Sequence, residues 1–170
     1  GIDPQRIGVY GFSEGGYLAA MLGTADPAAG FDMGQYLAQS SRVQAVVDIA
    51  GLTDFTNLSG SPSWFQPLGR SLTGGHTSLA DRRAISPVTY VAPGDPPFLI
   101  INGTDDWQVP PHHAQELAQR LHAAGVPATP VLVQHDSHGL DAPTPGQVEQ
   151  PSPAVLVQMI RDFFIRTLAA

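Results

Sequence analysis

The stretch from Arg6 to Gly16, RIGVYGFSEGG, contains the pattern that decides the fold. The apolar run from Arg6 to Tyr10 predicts a buried strand, and Glu14 to Gly23 carries Leu and Met at helical spacing, which predicts a helix. The five residues at the junction of the predicted strand and helix, GFSEG at positions 11–15, match G-x-S-x-G. A serine on such a sharp strand-to-helix turn projects from the end of a sheet, as a nucleophile must. Ser13 is therefore the candidate nucleophile.

Two glycines flank this serine, and both are expected to relieve crowding in the turn. Side chains at positions 11 and 15 would collide across it, so Gly11 and Gly15 are predicted to be the elbow glycines. The turn also places Ser13 at a helix N-terminus, where backbone N–H groups stabilise negative charge. We expect the N–H of Glu14 to donate to an oxyanion. A glycine-rich turn that arose by chance is the alternative interpretation.

Strands and helices alternate along the rest of the chain. This alternation predicts an α/β fold with about four parallel strands and right-handed crossovers. The further strands are expected at 43–49, 98–101 and 131–133, and the further helices at 111–124 and 154–168. The inward-facing residues of these two helices are expected to be Ala114, Leu117, Ala118 and Leu121, and Val155, Met159, Ile160 and Phe163.

The 170 residues are expected to form a single domain with one insertion, at about 52–95, between the second and third strands. This segment is rich in Gly, Ser, Thr and Pro, and it either carries short helices over the sheet or forms a surface loop. Its Trp64 and Phe65, together with Trp107 further on, either line a substrate groove or pack in the core.

A nucleophilic serine needs a base and an acid. In folds with a G-x-S-x-G elbow, the acid follows the serine along the chain and the histidine follows the acid. His138 follows the fourth strand, and Gly139 leaves room beside its ring, whereas His135 ends the strand itself. Two neighbouring aspartates, Asp105 and Asp106, follow the third strand, and Asp54 follows the second. Asp105 and Asp54 also suit capping of a turn or helix.

Composition excludes several classes of function. The formal net charge is −7 and all eight basic residues are arginine, so the chain is a poor candidate for binding nucleic acid. No cysteine is present, which excludes disulfides and thiolate chemistry. No apolar run is long enough to span a bilayer. Because no metal-binding motif occurs, neither a metal nor another cofactor is expected.

The motifs together resemble the α/β-hydrolase esterases of the feruloyl-esterase and acetyl-esterase type, relatives of the prolyl oligopeptidase clan. The matching stretches are residues 6–16, 41–48, 84–91 and 95–100. That family has a glycine three residues before its catalytic aspartate and Val-Pro after it, as Gly103, Val109 and Pro110 surround Asp106. The resemblance therefore implies the triad Ser13, Asp106 and His138.

Two departures from the family concern the rim of the site. Asn102 stands where the family often has histidine, and Trp107-Gln108 replaces smaller residues. A third departure is larger, since no glycine-rich oxyanion loop resembling the family's precedes the elbow. The expectation is therefore a later half of the fold, with an apolar sheet edge that invites self-association.

The resemblance implies a hydrolase for carboxylic esters with short or medium acyl groups, including acetylated or feruloylated carbohydrate. The alternatives are a serine peptidase of the prolyl oligopeptidase clan and a catalytically incomplete chain with a structural or binding role. The sequence does not indicate a compartment.

Overall fold

The computed structural model describes residues 1–57, 60–139 and 146–169. Its centre is a four-stranded sheet in the order β1-β2-β3-β4, in which every neighbouring pair of strands is parallel. The strands are β1 (Gly8–Phe12), β2 (Ala45–Ile49), β3 (Phe98–Gly103) and β4 (Ala128–Val133). This arrangement confirms the predicted α/β fold with four parallel strands.

Five α-helices accompany the sheet in the described part of the chain. They are α1 (Glu14–Thr24), α2 (Phe65–Leu72), α3 (Leu79–Ala84), α4 (His112–Ala123) and α5 (Pro153–Leu168). Two short 3-10 segments, Pro27–Ala29 and Pro87–Thr89, lie in the connections. The segment predicted as an insertion at 52–95 contains α2 and α3, so the alternative with short helices describes it better than an unstructured surface loop.

The sheet is covered on both faces. On one face, Val46, Phe98 and Ile100 pack against α1 and α4; on the other, Val47, Ile101 and Val133 pack against α5. Because β2 and β3 are buried on both sides, their sequences are nearly continuous apolar runs, as is usual for central parallel strands. The four residues predicted to face inward on α4 are all buried.

Helix α1 packs on the sheet through small residues rather than through its leucines. Gly16, Ala19, Ala20 and Gly23 are buried, whereas Leu18 is 58% exposed. A Cβ at Gly23 would lie 2.6 Å from the side chains of both Val46 and Phe98. The helix therefore approaches the strands too closely for larger side chains on this face.

Two further expectations differ from the structure. Val155 was predicted to face the core from α5, but it is 46% exposed and the adjacent Leu156 is buried instead. The first strand begins at Gly8, two residues after the predicted start, and it continues to Phe12. Among the described residues β1 pairs only with β2, and its Tyr10 is 67% exposed.

Candidate active site

Ser13 occupies a strained turn between β1 and α1. It has a positive φ of 57°, which is uncommon for a residue other than glycine. Its backbone N–H donates to the carbonyl of Ile49 at the end of β2, at 2.8 Å. The turn is thus fixed to the carboxyl edge of the sheet.

The two elbow glycines differ in their surroundings. A Cβ at Gly11 would fall on the backbone carbonyl of Gly15, so position 11 requires glycine. At Gly15 a Cβ would meet nothing within 4 Å, so the expected steric reason does not hold there. Gly16, by contrast, faces Asp48, whose Oδ1 would lie 2.5 Å from an added Cβ. The crowded positions are therefore 11 and 16.

The structure brings Ser13, His138 and Asp106 together in one chain of hydrogen bonds. His138 Nε2 lies 2.9 Å from Ser13 Oγ, and His138 Nδ1 lies 2.8 Å from Asp106 Oδ2. The His138 side chain is 12% exposed and that of Asp106 is fully buried. A hydroxyl, an imidazole and a carboxylate in this order can pass a proton from the serine to the ring.

Asp106 is held by its neighbours before it meets the histidine. Its Oδ1 accepts from the backbone N–H groups of Gln108 and Val109 at 2.9 and 2.8 Å. Its Oδ2 accepts from the Asn102 side-chain amide at 3.3 Å, in addition to the contact with His138. Asn102 is fully buried and also donates to the Val109 carbonyl at 3.1 Å. Sequence reasoning placed Asn102 at the rim and missed this role.

The competing candidates lie elsewhere. Asp105 is exposed, and its Oδ1 accepts from the Thr104 hydroxyl. Asp54 is buried, and its Oδ1 accepts from the backbone and side chain of Thr56, so it closes a turn rather than capping a helix. His135 is exposed, with a positive φ of 61°.

An open cleft lies over the serine. Its walls include Trp64, Trp107 and Gln108, and its floor includes Ser13 and Glu14, the first residue of α1. The N–H groups in the first turn of a helix lack intrahelical acceptors, so the N–H of Glu14 is not used by the hydrogen bonds within α1. Phe65 is buried and is not among the cleft residues, whereas Trp107 and Trp64 line the cleft and Trp64 also packs against the core cluster that contains Phe65.

Phe12 adds an aromatic contact that the sequence did not predict. Its ring centroid lies 5.0 Å from that of His138, and 44% of the residue is exposed. Phe12 is also the x residue immediately before the serine in the motif. The ring of His138 therefore has an aromatic neighbour in addition to its two hydrogen-bond contacts.

Asp48 is a buried carboxyl directly beneath the elbow. Its Oδ1 accepts from the N–H of Gly51 at 2.9 Å, and its Oδ2 has no hydrogen-bond partner among the described residues. Burial raises the pKa of Asp48 to about 7, opposed by the hydrogen bond from Gly51. The carboxyl is thus largely protonated below neutral pH, and it supports the turn that presents Ile49 to Ser13.

His113 is a core residue rather than a site residue. It is fully buried on α4, and its ring stacks on Phe65 with centroids 5.3 Å apart. Burial, and to a smaller extent the neighbouring His112, lowers the pKa of His113 to about 3. The ring is therefore neutral at physiological pH.

The described part of the chain contains neither a cluster of metal-binding side chains nor a membrane-spanning helix. Within residues 1–57, 60–139 and 146–169, no three His, Asp or Glu residues form a group suited to a metal ion. In the same part of the chain, no helix combines the length and apolarity needed to cross a membrane.

Comparison with known proteins assigns the family. The model of the family described as BD-FAE matches residues 1–121, which include the elbow, the first three strands and Asp106. The chain belongs to the BD-FAE family. Among curated proteins, this BD-FAE chain is 31% identical over 128 residues to the probable carboxylic ester hydrolase LipM of Mycobacterium tuberculosis. That match covers 71% of the chain and 29% of LipM. A match at 26% identity, to the acylamino-acid-releasing enzyme of Arabidopsis thaliana, covers 83% of the chain and 18% of that enzyme.

Solved structures agree on the fold. A truncated form of a carbohydrate esterase from gut microbiota superposes with a TM-score of 0.82 at 27% identity. The match covers 99% of the BD-FAE chain and 62% of the carbohydrate esterase chain. Esterase Est2 of Thermogutta terrifontis gives a TM-score of 0.74 at 23% identity. This match covers 98% of the BD-FAE chain and 56% of Est2. The architecture is therefore that of α/β-hydrolase esterases. The chain spans less than two thirds of these structures and about 30% of LipM.

Proposed function

We propose that this BD-FAE chain hydrolyses carboxylic esters, with Ser13 as nucleophile, His138 as general base and Asp106 as the acid that orients the histidine. The observation that carries the proposal is the continuous contact from Ser13 Oγ through His138 to Asp106, at 2.9 and 2.8 Å. Its support from relatives is the match to a probable carboxylic ester hydrolase.

The reaction follows from the roles of the three groups. His138 Nε2 takes the proton of Ser13 Oγ as the oxygen attacks the ester carbonyl, and the resulting imidazolium returns that proton to the departing alcohol. Asp106 accepts a hydrogen bond from Nδ1–H, which fixes the tautomer with a free Nε2 lone pair. Water activated by His138 then hydrolyses the acyl-serine and releases the acid.

Negative charge develops on the carbonyl oxygen in both steps. The N–H of Glu14 at the start of α1 is the donor we assign to it, because the helix N-terminus carries partial positive charge there. One such donor contributes about 10²–10³ in turnover. Glu14 acts through its backbone, so its side chain is free to vary.

We propose esters of short or medium acyl groups as substrates, including acetylated or feruloylated carbohydrate. The support is the shape and composition of the cleft, which is open and has the indole rings of Trp64 and Trp107 in its walls. Trp107 is 67% exposed, so its ring is available to a ligand. Exposed indole faces suit sugars and aryl acyl groups, and a structural relative is a carbohydrate esterase.

The test is hydrolysis of p-nitrophenyl acetate and p-nitrophenyl butyrate by the chain and by matched pairs of variants. Ser13→Ala is compared with Ser71→Ala, an exposed serine on α2. Asp106→Asn is compared with Asp105→Asn, its exposed neighbour. We expect Ser13→Ala to abolish turnover and Asp106→Asn to lower kcat by about 10⁴. Equal activity within either pair would contradict the assignment.

A peptidase activity is the competing proposal, and one relative supports it. The acylamino-acid-releasing enzyme of Arabidopsis thaliana, by its name, releases acylamino acids. N-acetyl-alanyl p-nitroanilide and p-nitrophenyl acetate, assayed side by side, separate the two chemistries. We expect the ester to be the better substrate by kcat/KM, whereas a preference for the anilide would favour the peptidase. A purely structural or binding role would leave both rates at those of the Ser13→Ala variant.

A further inference from the structure

A second cavity, of about 490 Å³, is lined by Phe55, by residues of α2, by the connection before α3 and by Arg82 of α3. Its lining includes the side chains of Arg70, His76 and Arg82, and its floor is formed by Phe55 and Phe65. None of these residues lines the Ser13 cleft. The ester hydrolase mechanism leaves this cavity without a role.

The cavity gathers positive charge in an acidic chain. The formal net charge is −7, yet two of the eight arginines line this cavity and no described lining residue is acidic. The nearby carboxylate of Asp81 accepts hydrogen bonds from the backbone and hydroxyl of Ser78. Neither lining arginine forms an ion pair within the described residues. Asp81 also interacts electrostatically with the lining His76, but no carboxylate is among the described lining residues, so the two arginines are the groups that would meet an anion.

One of the two arginines is pre-oriented. Arg82 donates from Nε and Nη2 to the carbonyl of Thr77, at 3.3 and 3.2 Å. A guanidinium has five N–H donors, so at least three remain for a ligand after these two contacts. Arg70, in the last turn of α2, makes no side-chain hydrogen bond or ion pair to another residue in the described part of the chain. Planar guanidinium groups match carboxylates better than ammonium groups do, because two parallel N–H donors fit the two oxygens.

The floor of the cavity is aromatic. Phe55 and Phe65 are each 1% exposed, with ring centroids 6.3 Å apart. Trp64 packs on Phe65 with centroids 4.6 Å apart, and Trp64 also lines the Ser13 cleft. Trp64 and Phe65 therefore lie between the two sites, with Trp64 lining the Ser13 cleft and Phe65 lining the cavity.

We propose that this cavity binds a small organic carboxylate, with its charged group between Arg70 and Arg82 and its apolar body toward Phe55 and Phe65. The site is separate from the ester cleft and does not depend on the function of Ser13. A flat aromatic acid has the carboxylate that the two arginines would bind and an apolar ring for the end of the cavity that Phe55 and Phe65 close.

Benzoate, benzamide and inorganic phosphate serve as probes in calorimetric titrations of the chain at low ionic strength. Benzoate has the charge and the ring, benzamide keeps the ring without the charge, and phosphate keeps the charge without the ring. We expect saturable binding of benzoate and much weaker binding of the other two. Benzamide binding as tightly as benzoate, or no saturable benzoate binding, would overturn the proposal. Phosphate binding as tightly as benzoate would refute the aromatic part.

Variants locate the site. Arg70→Gln removes a guanidinium that has no partner among the described residues and is expected to weaken benzoate binding about tenfold, with Arg82→Gln acting in the same direction. Arg161→Gln is the control, because Arg161 pairs with Asp162 on α5. Benzoate binding unchanged in Arg70→Gln would overturn the proposal, even if Arg82→Gln disturbs the fold. Binding lost in Ser13→Ala would place benzoate in the ester cleft and refute it as well.

Tryptophan fluorescence distinguishes benzoate bound in the cavity from benzoate bound elsewhere on the protein surface. The chain has two tryptophans, and Trp107→Phe leaves Trp64 as the sole indole. Because Trp64 rests on Phe65, benzoate in the cavity is expected to change its emission with the affinity measured by calorimetry. A calorimetric signal with no change in Trp64 emission would contradict binding at this floor.

Discussion

The side-chain amide of Asn102 donates to the Asp106 carboxylate at 3.3 Å, and both residues are buried. The same amide donates to the Val109 carbonyl, so one side chain ties the end of β3 to the loop that carries the acid. The direction of the Asp106 carboxylate is therefore set by residues around it rather than by its contact with His138 alone.

Asn102→Ala tests this tie. Loss of a hydrogen bond to a buried carboxylate, together with an unsatisfied carbonyl at Val109, is expected to destabilise the fold by about 1–3 kcal/mol. We also expect kcat for p-nitrophenyl acetate to fall about tenfold while KM changes little, because the acid still contacts His138. Urea unfolding and steady-state kinetics measure the two effects. An unchanged kcat would show that the hydrogen bond from Asn102 is not needed to orient the Asp106 carboxylate.

Gly11→Ala and Gly15→Ala are a matched pair within the elbow. The added methyl group collides with the Gly15 backbone in the first variant and meets open space in the second. We expect Gly11→Ala to destabilise the fold by about 2 kcal/mol or more, and Gly15→Ala to be neutral or slightly stabilising in the helix. Chemical denaturation of both variants decides the matter, and equal losses would contradict the geometry of the turn.

Asp48 predicts a pH dependence of stability. Its pKa is raised from the ordinary value of 3.8 to about 7 in the folded chain, so between these values the folded state holds a proton that the unfolded state releases. Stability from this group is fully present below pH 3.8 and is lost as the pH rises toward 7, on the order of 1.4 kcal/mol per pH unit.

Asp48→Asn removes this titration. The free energy of unfolding of the variant, minus that of the original chain, is therefore expected to increase from pH 4.5 to 7. Asp81→Asn is the control, because hydrogen bonds from Ser78 lower the pKa of Asp81 and place its titration below this range. A difference for Asp48→Asn that stays flat with pH would refute the protonated form.

The free edge of β1 predicts self-association. Tyr10 is 67% exposed on a strand that pairs with β2 alone among the described residues, and Leu18 is 58% exposed on the adjoining α1. Unpaired apolar edges recruit further strands. Sedimentation velocity is expected to show oligomers that Tyr10→Lys with Leu18→Glu dissociates and the control Val157→Glu, on α5, does not. Monomers at every concentration would contradict this expectation.

The order of the strands and helices was predictable because local patterns determine it. Apolar runs marked β2 and β3, and the amphipathic face of α4 was assigned correctly. The face of α1 was not predictable in this way. Its leucines are spaced like a core stripe, but the close approach of α1 to β2 and β3 selects glycine and alanine for the buried face. Packing distance between elements is a tertiary property.

Within the candidate site, the residues at the strand ends were predictable, but the residues that hold them in position were not. The motifs indicated Ser13 and His138, the family resemblance selected Asp106 over Asp105, and the structure places the three within hydrogen-bond distance. The role of Asn102 depends on a loop that folds back over β3, and that of Asp48 depends on how closely Gly16 approaches it. Neither relation has a local signature in the sequence.

Covalent labelling of Ser13 tests the central claim most directly. Diethyl p-nitrophenyl phosphate transfers its diethylphosphoryl group to an activated serine and releases p-nitrophenolate, and peptide mapping by mass spectrometry locates the adduct. We expect a single adduct on Ser13, absent from Ser13→Ala and formed at least about 10³-fold more slowly in His138→Ala than in the His135→Ala control. An adduct on another residue, or equal rates in the two histidine variants, would contradict the assignment of Ser13 as a nucleophile activated by His138.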